Sequence, residues 1–203
     1  MPNANTLTIH HIFKEQRILL DRFSAVEKEN GLCRYDRVPL DLDTKRSQEG
    51  LRLLAWRITE EVGEALHALY LNQHESFREE VADVFHFIVE LMILVDVTPT
   101  EANHLLIERG YPSRVMINQD SDRCWMDLIV ELALALNHLK NRPWSKKEKP
   151  LEAPELFRRA VSRVFVRFIT ACGRSGIDYY QLFGSYIKKN EINHGRIEEE
   201  SPI

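Results

Sequence analysis

Four acidic residues form two pairs with the same spacing: Glu61 with Glu64, and Glu80 with Asp83. On an α-helix, side chains three positions apart share a face, so each pair can hold a cation from one side. Carboxylate oxygens are hard ligands, and they select hard divalent ions such as Mg²⁺ or Mn²⁺. We therefore take these four acids as candidate metal ligands and catalytic residues.

The segment between the two pairs predicts a tight helical hairpin that turns near residue 73. The pairs lie about 11 residues before and about 8 residues after this turn, which places them within ~5 Å of the same level along the helices. Two carboxylates 4 Å apart repel by roughly 4 kcal/mol at an effective dielectric constant of about 20, and a divalent ion removes that repulsion. A solvated acidic face is the competing interpretation for either pair alone, but their common level favours one shared site.

A cluster of carboxylates also indicates the kind of substrate. Mg²⁺ keeps several waters and shares its coordination with substrate phosphates, so the cluster predicts a phosphate-bearing substrate. One carboxylate could also deprotonate a water that the metal polarises.

Two parts of the second half resemble parts of the first. Residues 157–165 resemble residues 77–85 at an offset of 80, and residues 131–139 resemble residues 61–69 at an offset of 70. In this alignment Glu61 keeps an acidic counterpart, Glu131. The other three acids are replaced by Leu134, Ala160 and Arg163.

The second half instead ends in a polar cluster that residues 106–116 of the first half lack. Its members are Lys189, Asn190, Asn193 and Arg196. One half would supply acids and the other cations and amides, so the alignment predicts one composite site rather than two copies of a site.

The apolar residues that must position these groups recur with a helical period, and no run alternates as a β-strand would. We expect seven helices, at about residues 8–29, 47–71, 76–95, 98–110, 121–140, 155–174 and from 178 onward. The third and fourth are predicted to open at capping boxes, at residues 76–79 and 98–101, the latter with Pro99 in the first helical position. The predicted fold is a single all-α domain over residues 1–203, a helical bundle built from two degenerate repeats at about 47–110 and 121–196.

The bulk composition is that of an ordinary globular protein, with 44% hydrophobic and 29% charged residues. A net charge of −4 argues against a nucleic-acid partner, and we interpret the basic segment 140–149 as a solvated linker. No signal peptide and no membrane-spanning segment is predicted. Three widely spaced cysteines indicate a reduced, cytoplasmic chain.

These residues resemble the all-α NTP pyrophosphatase superfamily, which includes MazG-like enzymes and the dimeric dUTPases. Its hallmark, ExxE followed by ExxD, is present as Glu61-Val-Gly-Glu64 and Glu80-Val-Ala-Asp83. The His86-Phe87 pair after Asp83 and the ending over residues 186–196 are similar to the dimeric dUTPase and phage dCTPase–dUTPase branch. Residues 142–147 are similar to a Trp/Lys-rich loop of the phage enzymes.

The resemblance covers roughly residues 50–96 and 125–196. It implies a homodimer that hydrolyses a (deoxy)nucleoside triphosphate, such as dUTP, to the monophosphate and pyrophosphate with Mg²⁺. It implies that the four acids bind metal and that one of them, Glu61 for example, activates the water. It also implies that Lys189, Asn190, Asn193 and Arg196 contact the triphosphate and the sugar.

Two departures leave the base open, with dCTP and dGTP as alternatives to dUTP. The segment 72–76 is too short to hold the Trp/Lys-rich loop that dimeric dUTPases carry between their acid motifs. That family recognises its base with N-terminal Gln and Asn residues, and Gln16 is the one candidate for such a residue in this sequence.

Two other classes of protein compete with this interpretation. Glu64-x-x-His67 and Asp83-x-x-His86 resemble the ligand pairs of di-iron bundles, although only Glu131 offers a further ligand. We favour His86 as a buried, hydrogen-bonded residue and His67 as a surface one. A non-enzymatic interaction protein could use the amphipathic helices and the three tryptophans, but core or dimer packing is the simpler role for Trp56, Trp125 and Trp144.

Overall fold

The chain folds as a helical bundle in the computed structural model, which describes residues 8–32, 35–108, 121–142 and 144–200. Within these ranges it forms seven α-helices and no β-strand, which confirms the predicted all-α fold. The helices are α1 (Ile9–Glu29), α2 (Lys45–Tyr70), α3 (His74–Leu94), α4 (Pro99–Glu108), α5 (Ser121–Leu136), α6 (Pro154–Arg174) and α7 (Tyr179–Glu200). None of them is both long and apolar enough to cross a bilayer. The predicted end of α4 near Gly110, and Cys33 and Pro143, lie outside the described residues.

One of the two predicted capping boxes forms. The Thr98 backbone N–H donates to Glu101 Oε2 at 2.7 Å, and the Glu101 N–H donates to Thr98 Oγ1 at 3.2 Å. The prediction that α3 opens at Ser76 is wrong, because α3 begins at His74 with Gln73 as its N-cap residue and no side-chain cap bond. Asn72 takes a positive φ of 56°, so the chain reverses within a few residues and the first turn of α3 already contains Ser76.

Helix α3 is the central element of the bundle. It packs antiparallel to α2 across the short turn at residues 71–73, and it also contacts α1, α6 and α7. Seven apolar residues on its core side are buried: Phe77, Val81, Val84, Phe85, Ile88, Met92 and Val95. Because neighbours surround it, α3 sets the position of the helices that carry polar side chains.

An aromatic cluster fixes α6 and α7 against α3. The Phe85 ring lies 5.5 Å from Phe168, 5.7 Å from Phe183 and 5.5 Å from Tyr186, measured between centroids. These rings are fully buried, and offset or edge-on pairs of this kind stabilise beyond simple burial. The contact positions the polar face of α7 beside the α2–α3 hairpin.

The tryptophans divide between core and surface. Trp125 is 0% exposed and lies edge-on to Phe77 at 6.0 Å. Trp56 and Trp144 are 63% and 80% exposed, so packing within this chain does not account for them.

Helices α5 and α6 pack together as a second hairpin. Its residues Phe157, Val161, Val164 and Phe165 are buried, as are the aligned residues of the first hairpin. This shared burial pattern supports our proposal that the two hairpins derive from one repeat.

Candidate active site

The α2–α3 hairpin brings three of the four candidate acids together. Carboxylate oxygens of Glu61, Glu64 and Glu80 lie within 4.8 Å of one another. In the described part of the chain this is the one group of three or more His, Cys, Asp or Glu side chains close enough to share a metal ion. The all-oxygen donor set fits a hard cation such as Mg²⁺ or Mn²⁺.

Asp83 lies beside this group but outside its closest triangle. Lys189 Nζ, on α7, is 2.5 Å from Asp83 Oδ2, and the two side chains are only 20% and 14% exposed. The fourth predicted acid is thus paired with one of the predicted substrate-binding cations.

The electrostatics of the group favour a bound cation. Burial and the nearby Asp83 charge raise the pKa of Glu61 to about 7, although Arg57 opposes both. Burial and the charges of Asp83 and Glu64 also raise the pKa of Glu80. The pKa of Asp83 is raised as well, because burial outweighs its contact with Lys189. A divalent ion would relieve this concentration of negative charge.

A cavity of about 340 Å³ adjoins the acids, bounded by α1, α2, α3 and α7. Glu61, Asp83 and Lys189 line it at one position along the hairpin. Farther along, by ~10 Å at the rise of a helix, its lining includes Leu53, Phe87 and Glu90. The size is that of a small-ligand site, with a charged end and a more apolar one.

Helix α7 presents three of its four predicted residues to this cavity. Lys189, Asn193 and Arg196 line it, because spacings of four and three residues keep them on one helical face. Asn190 does not belong to the lining and is 3% exposed. Its Nδ2 lies 3.5 Å from the Tyr186 hydroxyl, and its Oδ1 is buried with no hydrogen-bond partner among the described residues.

A buried polar network sets the orientation of Gln16, which lines the same cavity. Burial lowers the pKa of His86 to about 3, so its ring is neutral and carries one proton. His86 Nε2 lies 3.2 Å from the Tyr186 carbonyl oxygen, and its Nδ1 lies 2.8 Å from Gln16 Oε1. The Tyr186 hydroxyl donates to the same Gln16 oxygen at 2.8 Å. The network thus occupies the Gln16 carbonyl oxygen and leaves the amide NH₂ group for a ligand.

The histidine assignments agree with the sequence interpretation, and the di-iron ligands do not assemble. His86 is buried and hydrogen-bonded, whereas His67 is exposed. Glu131 instead accepts from Arg163 Nε at 2.7 Å and lies 3.8 Å from Arg167 Nε.

Several lining residues were not predicted, and Arg57 is the most polar of them. Arg57 Nη2 is 3.1 Å from Glu61 Oε1, and its guanidinium lies 5.4 Å from the centre of the Phe87 ring. Arg57 precedes Glu61 by four residues, and Phe87 follows Asp83 by four residues. Residues one helical turn from each acid share its face, so a search at that spacing would have identified both.

The Trp/Lys-rich segment lies far from the cavity of its own chain. Lys45 Nζ donates to the Ser145 carbonyl at 3.1 Å, and Gln48 Nε2 donates to the Lys149 carbonyl at 3.0 Å. These contacts hold the segment at the start of α2, ~20 Å along that helix from Glu61.

The raised pKa of Glu61 predicts how metal binding depends on pH. Without metal, Glu61 keeps its proton up to a pH of about 7, and its contribution to stability falls as pH rises from the unfolded pKa of 4.5 through that value. Mg²⁺ binds the ionised form, so Mg²⁺ should raise the Tm much more at about pH 8 than at about pH 5.5. Thermal unfolding with and without Mg²⁺ measures this, and Glu61→Gln should flatten the difference. An equal gain at both pH values would contradict the prediction.

Comparison with known proteins gives one match. A family model described as dUTPase matches residues 68–200, more than half of the chain, including Glu80, Asp83 and all of α7. No curated protein and no solved structure matches significantly.

Proposed function

Because the chain belongs to this dUTPase family of all-α NTP pyrophosphatases, we propose that it hydrolyses dUTP to dUMP and pyrophosphate with Mg²⁺ or Mn²⁺. The observation that carries this proposal is the cavity where Glu61 and Asp83 face Lys189, Asn193 and Arg196. Acids that suit a divalent ion and cations that suit phosphates are the two sets of groups that a metal-bound triphosphate requires.

Each set has a role in the proposal. Glu61, Glu64, Glu80 and Asp83 would hold the metal, which when bound neutralises phosphate charge and acidifies the attacking water. Lys189 and Arg196 would donate charge-assisted hydrogen bonds to the triphosphate, and Asn193 would bind phosphate or sugar. Asn190 lies behind this face, so a direct substrate contact would require its buried side chain to move.

The reaction itself needs one proton acceptor. The water oxygen forms a new bond to phosphorus as the α,β-anhydride breaks, and the water proton passes to a carboxylate. We assign this role to Glu61, because it lines the cavity while Glu64 and Glu80 line the adjoining surface pocket. Its pKa, raised to about 7 by burial, suits a group that accepts a proton near neutral pH.

The base would occupy the more apolar end of the cavity. Phe87 and Leu53 offer surfaces against which a ring can pack, and the Gln16 NH₂ group offers a hydrogen-bond donor. Uracil presents carbonyl oxygens that accept from such a donor, which supports a pyrimidine nucleotide such as dUTP as the substrate.

A nucleotide panel tests the proposed function. With Mg²⁺, we expect pyrophosphate release from dUTP to exceed release from dATP and dGTP by at least about 100-fold, because purines are larger than uracil and present different hydrogen-bonding edges. The dCTP and UTP reactions measure base and sugar selectivity separately. If dCTP or dGTP is turned over faster than dUTP, that nucleotide is the substrate instead. If no nucleotide is turned over, the result favours a non-enzymatic interaction protein.

We also propose that the chain forms a homodimer. Met126, Val130 and Leu134 form a stripe along α5 and are 54%, 55% and 56% exposed. Trp56, on the adjacent α2, is 63% exposed. Exposed apolar surface of this kind is typical of contacts between chains. Light scattering should therefore give about twice the 23.8 kDa mass of one chain.

We place the protein in the cytoplasm. The free thiols of Cys124 and Cys172 suit a reducing compartment, and a nucleotide substrate would be found there.

A further inference from the structure

Two basic side chains form ion pairs with acids of the site. Arg57 Nη2 lies 3.1 Å from Glu61 Oε1, and Lys189 Nζ lies 2.5 Å from Asp83 Oδ2. Among the described residues, Glu64 and Glu80 form no such ion pair. Each pair thus joins one candidate metal ligand to one cation that lines the cavity.

We propose that Arg57 and Lys189 exchange partners during substrate binding: they hold Glu61 and Asp83 while the metal is absent, and they bind the triphosphate when a divalent cation takes over those carboxylates. This rests on the proposed function, because it assumes that the cavity binds a metal and a triphosphate. It adds Arg57 as a substrate-binding residue that neither the motif pattern nor the charge cluster on α7 identified.

The positions of the two cations permit the exchange. Arg57 is on α2 and Lys189 on α7, so they approach the cavity from different walls. The Arg57 side chain is 46% exposed, and its guanidinium lies over the Phe87 ring at 5.4 Å. Its Nη1 also donates to Glu60 Oε2 at 2.7 Å, so the exchange would release Arg57 from both Glu60 and Glu61. Its planar fork suits two phosphate oxygens.

Lys189 differs from Arg57 in its burial. Its side chain is only 20% exposed, and Asp83 is 14% exposed, so solvent screens this pair less than the Arg57–Glu61 pair. A metal that binds alone must displace both cations from the carboxylates. A metal that arrives with a triphosphate gives them a new anionic partner, so metal and triphosphate should favour each other's binding, and this coupling is reciprocal.

The test uses Mn²⁺ alone and inorganic tripolyphosphate, which has no base and so does not depend on the identity of the nucleotide. Calorimetry on the full chain measures Mn²⁺ affinity first. Arg57→Met and Lys189→Met should bind Mn²⁺ at least about threefold more tightly than the unaltered chain, because a competing cation is gone. Arg57→Lys keeps the charge and should bind Mn²⁺ as the unaltered chain does.

Two further variants serve as matched controls. Arg196 lines the same cavity but donates to Asn193 Oδ1 at 3.4 Å rather than to a carboxylate, and its charge acts on Asp83 more weakly than that of Lys189. Arg196→Met should therefore tighten Mn²⁺ binding clearly less than Lys189→Met does. Lys188 is the exposed neighbour of Lys189, and Lys188→Met should change neither affinity.

Tripolyphosphate binding at saturating Mn²⁺ completes the test. Arg57→Met, Lys189→Met and Arg196→Met should each weaken it by about tenfold, through lost charge-assisted hydrogen bonds. The exchange therefore predicts opposite changes in the two affinities for Arg57→Met and Lys189→Met, and for Arg196→Met mainly a loss of tripolyphosphate affinity.

The outcomes separate the inference from the function on which it rests. Unchanged or weaker Mn²⁺ binding in both Arg57→Met and Lys189→Met would overturn the exchange while leaving the metal site intact. No Mn²⁺ binding in the unaltered chain would overturn the metal site and the proposed function together.

Discussion

Replacing Glu64 with Gln is expected to lower kcat/KM for dUTP by about 10³-fold while the protein stays folded. Glu64 is exposed, so the change removes no core contact. It does remove one of the three carboxylates whose oxygens lie within 4.8 Å of one another. An amide keeps the shape of the side chain but not the negative charge that a divalent cation requires.

Steady-state pyrophosphate release measures this loss, and Mn²⁺ calorimetry should show a parallel loss of metal affinity. The matched control is Glu79→Gln, which changes an exposed acid on α3 beside Glu80 but outside the cluster and should retain activity. Adding Leu134→Glu to Glu64→Gln should restore nothing, because the second hairpin has Arg163 where the first has Asp83. Full activity in Glu64→Gln would place the metal elsewhere.

Replacing Phe85 with Ala is expected to lower the free energy of unfolding by about 3–5 kcal/mol. The Phe85 side chain is 0% exposed and contacts the rings of Phe168 on α6 and of Phe183 and Tyr186 on α7. Its loss leaves a cavity where three helices meet. Because Asp83 is two residues away and Lys189 is on α7, the same change should disturb the acid–cation register of the site.

Denaturant and thermal unfolding measure the loss, which corresponds to roughly 10 °C in Tm for a chain of this length. Phe87→Ala is the matched control, since Phe87 is only half-buried and lines the cavity instead of the core. It should cost much less stability and act mainly on KM. A loss below about 1 kcal/mol for Phe85→Ala would show that the aromatic cluster does not hold α7 in place.

If the two hairpins derive from one repeat, as we propose, the second hairpin has lost three of the four acids and must stabilise the one that remains. Glu131 aligns with Glu61 and is still mostly buried, at 9% exposure. Arg163, which aligns with Asp83, donates to it at 2.7 Å. The Arg163 guanidinium neutralises the Glu131 carboxylate, so this hairpin needs no external cation to stabilise it.

Local spacing was enough to determine much of this protein. The helical period placed all seven helices, and the ExxE and ExxD spacings on a tight hairpin predicted that the four acids would converge. Glu61, Glu64 and Glu80 form the close group, and Asp83 lies beside it, paired with Lys189. Such features depend on the period of one helix or on one short turn, which a sequence states directly.

Contacts between distant segments were decided only by the tertiary structure. The sequence could not show that Lys189 pairs with Asp83, that Arg57 and Phe87 line the cavity, or that the Trp/Lys-rich segment lies at the other end of α2. A period fixes which residues share a face but leaves open how each helix is rotated against its neighbours. The packing of buried side chains such as Phe85 sets that rotation. Because of this packing, the paired acids that the sequence identified face the cations of α7 across the bundle.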